Sequence, residues 1–314
     1  MDALFFVHLL NALLMIAMPL GLAIYLTRTW KLGWRLWFIG AATFVLSQVG
    51  HLPFLWLSSR ILNTPGVVNV FLSMPPLGLV IFNGVFVGLA AGLFEELFRL
   101  GMYRWWAKDA RTWHTGILTG GGHGGVEAII FGGLALYSFL QMVAYRNIDL
   151  SAVIPAAQLP AVEAQVATYW SAAWYDAFLP SFERLCTIII QISLAVLVLQ
   201  TFTRKQWFWV WLAVLYHALI DFFTVPAAAG YFSKYGAEAI VGGFAVLSLI
   251  IIFALRRPEP GTNTQPNTPL EKSDQELGLS VNPGTGMPTA MVSGRLVSER
   301  IWEELQGGGP VCHG

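Results

Sequence analysis

The chain has 314 residues, of which 56% are apolar, 14% aromatic and only 11% charged, and its mean hydropathy is +0.61. An ordinary soluble domain carries about a quarter charged residues, so the composition excludes a soluble enzyme and points to a multi-pass membrane protein. Lys and Arg number 18 against 18 Asp and Glu, a balance that offers no basic field for nucleic acid, and Cys186 and Cys312 make neither a CxxC pair nor a disulfide framework.

A helix needs roughly 20 apolar residues to cross the hydrocarbon. That template predicts spans at about 4–26, 34–57, 77–99, 115–144, 177–201, 206–225 and 235–255. The expected fold class is all-α, a polytopic membrane helix bundle of about seven transmembrane helices. The membrane domain covers 1–257. A disordered cytoplasmic tail follows over 258–314, rich in Pro, Thr, Asn, Gly and Ser, with a short helix near its end formed on Val292, Leu296, Ile301 and Leu305. The first apolar run lacks the basic n-region of a cleaved signal peptide and reads as a membrane helix.

Basic residues mark alternate connections. Arg28, Lys31 and Arg35 follow the first span, Arg104, Lys108 and Arg111 the third, Arg204 and Lys205 the fifth, and Arg256 and Arg257 the seventh. Because positive charge stays cytoplasmic, the N-terminus is expected outside and the C-terminus inside, in the cell membrane.

Within the spans, polar residues are few and costly. Span two carries Ser47, Gln48 and His51, a seam that packs against neighbouring helices or lines a substrate path, with Pro53 able to kink it. The connection 58–76 reads as an external loop. Span three ends in Leu93-Phe94-Glu95-Glu96-Leu97-Phe98-Arg99, preceded by Gly88 and Gly92 at small-xxx-small spacing. Each charge at a helix centre costs about 2.5–3.5 kcal/mol on insertion scales, so Glu95 and Glu96 need partners, and Arg99 is one turn from either.

Span four opens with a glycine run, Gly120-Gly121-Gly122-His123-Gly124-Gly125, and continues to Glu127, which shares a helix face with His123. The glycines predict very close helix packing or a cavity. The run lacks the Lys and hydroxyl of a phosphate loop. Tyr169, Trp170, Trp174 and Tyr175 precede span five as an interfacial belt would. Span five carries Glu183 and Arg184, read as structural, and Gln191 deeper; span six places His217 and Asp221 on one face. Span seven looks like packing only.

These residues suffice for peptide hydrolysis. A carboxylate in a partly dry cavity on the cytoplasmic half acts as general base on water, imidazoles donate to the oxyanion, and Arg99 orients one Glu. Glu95 and Glu96 lie shallower than the histidines unless span three tilts or runs longer. An alternative is zinc held by His123, His217 and Glu127, although HExxH is absent; otherwise no cofactor is expected. A different class of reading is a transporter or an ion or proton relay using the same buried groups.

The combination Glu-Glu-Leu-Phe-Arg (95–99), Gly-Gly-His-Gly-Gly-Val-Glu (121–127), Glu-Arg (183–184) and His-Ala-Leu-Ile-Asp (217–221) resembles the YhfC family of glutamic-type intramembrane proteases, themselves similar to type II CAAX prenyl endopeptidases and bacteriocin-processing (CPBP) proteins. The resemblance implies an intramembrane endopeptidase acting on a peptide or membrane-protein substrate. It also implies Glu95 or Glu96 as the water-activating base, Arg99 as its orienting partner, His123 and His217 as transition-state donors, and Asp221 in place of an Asn or Asp four residues after the last His.

Overall fold

The computed structural model describes residues 3–256, whose regular structure is all helical, without strands. Seven of the helices are long and apolar enough to cross a membrane. The long ones are α1 (Ala3–Trp30), α2 (Arg35–Leu62), α4 (Pro76–Gly101), α5 (Trp113–Arg146), α7 (Leu179–Thr203), α8 (Phe208–Phe222) and α10 (Lys234–Ala254). Short helices α3 (Pro65–Leu72), α6 (Leu159–Ser171) and α9 (Thr224–Ala228) lie between them. The tail over 258–314, with its expected short helix, lies outside the described residues.

The predicted spans are all present, most of them a few residues longer than apolarity alone suggested. The connection expected over 58–76 is more ordered than a loop, because α2 runs on to Leu62 and Pro65, at the first turn of α3, starts a new helix. Span three gains most. After Gly101 a π-helical turn, Met102–Trp106, carries it to Trp106, so the span is 31 residues long. Glu95 is then about 16 Å from its inner end. The extra length brings the acidic pair to the depth of the histidines, as the sequence required.

Five helices form a closed ring: α2 against α4, α4 against α8, α8 against α7, α7 against α5, and α5 back against α2. Helix α1 packs outside on α5 and α10 outside on α7. Helix α7 is the most enclosed, with every residue from Ile190 to Thr201 buried. Helix α10 is tied on by Ser248, which meets Ser193 at 3.0 Å and Tyr216 Oη at 2.8 Å.

Glycine sets the ring's tightness, since without a hydrophobic drive between helices in lipid, backbone approach supplies the contact. A Cβ at Gly122 would lie 2.0 Å from the carbonyl oxygen of Trp37, and one at Gly40 2.0 Å from that of Thr119, so α2 and α5 touch backbone to backbone. On the opposite face of α5, Gly120 and Gly124 admit α7 at Ile192 and Ile188. Gly88 and Gly92 do the same for α8 at Ala218 and Val214. Of the two expectations for the glycine run, close packing is the one the structure realises.

Two of the four residues read as an interfacial belt pack on the bundle. In α6, Tyr169 stacks on His8 of α1, ring centroids 4.0 Å apart, and Trp170 lies under Arg146 at the end of α5, 4.9 Å from guanidinium carbon to ring centroid.

Candidate active site

Each helix of the ring sends polar side chains into its centre: α2 gives Gln48, α4 gives Glu95, Glu96 and Arg99, α5 gives His123 and Glu127, α7 gives Arg184 and Gln191, and α8 gives His217 and Asp221. Glu95, Glu96, Arg99, His123, Gln191 and His217 are all buried. Such groups are tolerated at this depth only when they answer one another.

They fall into two adjoining sets. In the first, Arg99 Nη1 donates to both oxygens of Glu96 at 2.6 Å, and Arg99 Nη2 donates to Gln191 Oε1 at 2.6 Å. Glu96 Oε1 also accepts from His217 Nδ1 at 2.7 Å. Arg99 and Glu96 are essentially without solvent contact, at 1% and 0% exposure, so neither charge is stable here without the other.

The second set surrounds Glu95. Its Oε1 accepts from Gln48 Nε2 at 3.1 Å, and its Oε2 from His123 Nε2 at 3.0 Å and Gln191 Nε2 at 3.2 Å. The same Oε2 faces His217 Nε2 at 3.9 Å, and that nitrogen faces Asp221 Oδ2 at 3.6 Å. Both separations exceed a direct hydrogen bond. Glu95 and Glu96, about 100° apart on the helix, thus address opposite nitrogens of one imidazole.

Glu127 stands one layer back. Its Oε1 accepts from Arg184 Nη1 at 2.8 Å and its Oε2 from Gln191 Nε2 at 3.1 Å, while Arg184 also pairs with its neighbour Glu183. Arg184 was read from the sequence as structural, and it holds Glu127 in place.

The end of the site beside the π-helical turn is packed with side chains. Tyr103, from the π-helical turn, is fully buried, with its hydroxyl 2.7 Å from Thr119 Oγ1 and donating to the Ala195 carbonyl at 3.2 Å; Arg111 Nη2 donates to the Tyr103 carbonyl at 2.9 Å. The π-helical turn buries Tyr103 and Met102 at this end. Asp221, at the far end of α8, has 30% of its side chain open.

All seven residues singled out from the sequence are therefore in or beside one cluster. Gln48 and Gln191 were not singled out, although Gln191 joins Arg99, Glu95 and Glu127. The signal available for it was a lone amide in the middle of a span. His51 lies one turn beyond Gln48, is buried, stacks on Phe94 with ring centroids 5.4 Å apart, and has no partner for its Nε2.

A family model described as "YhfC intramembrane metalloprotease" matches residues 14–242, which include every residue of the cluster. The chain belongs to the YhfC family. A relative, the "Uncharacterized membrane protein YhfC" of Bacillus subtilis (strain 168), is 28% identical over 254 residues, covering 76% of this chain and 92% of its own length. No solved structure matches. The protein is thus a multi-pass membrane protein of a family described as intramembrane proteases.

That description implies a metal. Among the described residues no three His, Cys, Asp or Glu groups are arranged to hold one. The zinc set considered from the sequence, His123, His217 and Glu127, is divided: His123 Nε2 is bonded to Glu95, His217 Nδ1 to Glu96, and both oxygens of Glu127 are taken by Arg184 and Gln191. Arranged in this way, His123, His217 and Glu127 do not form one metal-binding set.

Proposed function

We propose that this YhfC protein is a glutamic-type intramembrane endopeptidase, in which Glu95 activates a water to hydrolyse a peptide bond of a membrane-embedded substrate. The observation that carries the reading is the meeting of Glu95 Oε2, His217 Nε2 and Asp221 Oδ2, 3.9 and 3.6 Å across, which sets a carboxylate base against an imidazole in one buried cluster.

Water beside these groups gives a proton to Glu95 while its oxygen attacks the carbonyl carbon. The oxyanion takes a hydrogen bond from Nε2–H of His217 in its imidazolium form, the form in which both ring nitrogens donate, with the ring held by Glu96, itself fixed by Arg99. On collapse the C–N bond breaks, and the proton held by Glu95 passes to the leaving amine. The roles drawn from the family resemblance shift in two places. Arg99 acts on Glu96 rather than on the base, and His123, donating to Glu95 Oε2, orients the base rather than the oxyanion. Asp221 steadies the Nε2 side of His217, and Glu127 holds Gln191.

The test is cleavage of a quenched peptide library by the detergent-purified full chain. Wild type cuts with or without a strong chelator, and Glu95→Gln does not. Activity lost to the chelator and restored by zinc would move the reaction to a metal. An inactive wild type whose proton flux in liposomes depends on Glu95 would replace the protease with a relay.

A further inference from the structure

The α2 wall of the ring carries a group the hydrolytic mechanism does not use. His51 is 7% exposed and its Nε2 is wholly buried without a protein partner. Its ring is clamped against Phe94, which is itself packed on Phe54, so the imidazole is held in one place. It lies one turn from Gln48, which bonds Glu95, and within electrostatic reach of Glu95 and His217.

A buried ring nitrogen with no partner is a standing cost unless something outside the chain satisfies it. The substrate of an intramembrane peptidase has the complementary problem. To be cut it must leave the helical conformation, and its freed carbonyls and amides then need partners in a medium without water. His123 donates from Nε2 to Glu95, so in the neutral ring its Nδ1, also buried without a partner, is an acceptor and cannot serve a carbonyl. Nor can Gln48 or Gln191, whose amide groups bond Glu95.

We propose that His51 is a substrate-binding residue: its Nε2–H donates to a backbone carbonyl of the unwound peptide, beside the scissile bond, so the substrate lies along α2 with its cleaved bond towards Glu95. The proposal rests on the peptidase reading above. It also defines a substrate class: membrane segments with a helix-breaking residue, such as Gly or Pro, next to the cut. A segment that stays helical presents no free carbonyl to His51.

Two measurements test it on the full chain in nanodiscs. The first compares KM and kcat of wild type, His51→Ala and His51→Gln on a fluorogenic peptide of about 20 Leu and Ala residues broken by a central Gly-Pro. His51→Ala should raise KM by about fivefold with kcat little changed, and His51→Gln, which keeps a donor, should recover most of the loss. The second titrates protein labelled with nitrogen-15 in histidine with the same peptide, uncleavable through a reduced central amide. The His51 Nε2 resonance, assigned by its loss in His51→Gln, should shift on saturation, and an unbroken Leu-Ala helix should not move it.

Unchanged KM in both variants with an unmoved resonance overturns the proposal while leaving the peptidase reading intact. A fall in kcat alone, not rescued by Gln, also overturns it. If wild type cleaves nothing the peptidase reading fails, and the titration still decides whether His51 binds an unwound peptide.

Discussion

His217 Nδ1 donates a 2.7 Å hydrogen bond to Glu96, while Glu95, the preceding residue, faces the other nitrogen of the same ring at 3.9 Å. Adjacent carboxylates on one helix thus have different work. Glu96 is locked between Arg99 and His217, whereas Glu95 keeps an oxygen towards His217 Nε2.

That division predicts different damage from one conservative change. Glu95→Gln keeps shape and removes the base, so kcat should fall about 100- to 10,000-fold with little change in thermal unfolding. Glu96→Gln leaves the buried Arg99 guanidinium without its counter-charge and should destabilise by about 3–5 kcal/mol. Thermal unfolding and peptide cleavage of both variants in one detergent check this. A stable but inactive Glu96→Gln beside a destabilised Glu95→Gln would exchange the roles.

The glycine contacts predict a contrast along a single helix. Gly122→Ala drives a methyl into the Trp37 carbonyl and should cost about 1–3 kcal/mol or more through overpacking. Gly133→Ala, further along α5, meets nothing within 4 Å and should be neutral or stabilising by up to about 1 kcal/mol. Equal unfolding midpoints for the two variants would mean that α2 and α5 do not approach as closely as described.

The orientation inferred from loop charge is open to labelling. With Cys186 and Cys312 replaced by Ser, a cysteine at the exposed Ala156, between α5 and α6, should react with an impermeant maleimide on intact cells. One at the exposed Lys108, between α4 and α5, should react only after permeabilisation. The reverse pattern would invert the topology.

Much of this arrangement was legible because lipid simplifies the problem. Apolar length located the spans, and Glu95, His123 and His217 stood out because each is costly where it sits. The π-helical turn at Met102–Trp106 was not legible: no residue type announces it, and it both lengthens the span and buries Tyr103 against Thr119. Gln191 is visible in span five but its role was not, for a related reason. An amide is cheaper in a membrane than a charge, so it stands out less, yet it alone bonds Arg99, Glu95 and Glu127. His123 and Glu127 share a face at helical spacing, but spacing could not say that Arg184, from a helix remote in sequence, would claim the carboxylate.

That last contact decides how Glu127 should behave. Standing behind Gln191 and held by Arg184, it positions the site and takes no proton from water. Glu127→Gln, which still accepts from Arg184, should therefore keep kcat within about tenfold of wild type, against the much larger loss for Glu95→Gln. Arg184→Leu alone leaves Glu127 in apolar surroundings without its cation and should cost about 3–5 kcal/mol. Glu127→Leu combined with Arg184→Leu removes both charges and should regain most of that stability, a coupling read directly from a double-mutant cycle of unfolding. If Glu127→Gln is as inactive as Glu95→Gln while remaining folded, Glu127 belongs to the chemistry and water is not activated beside His217.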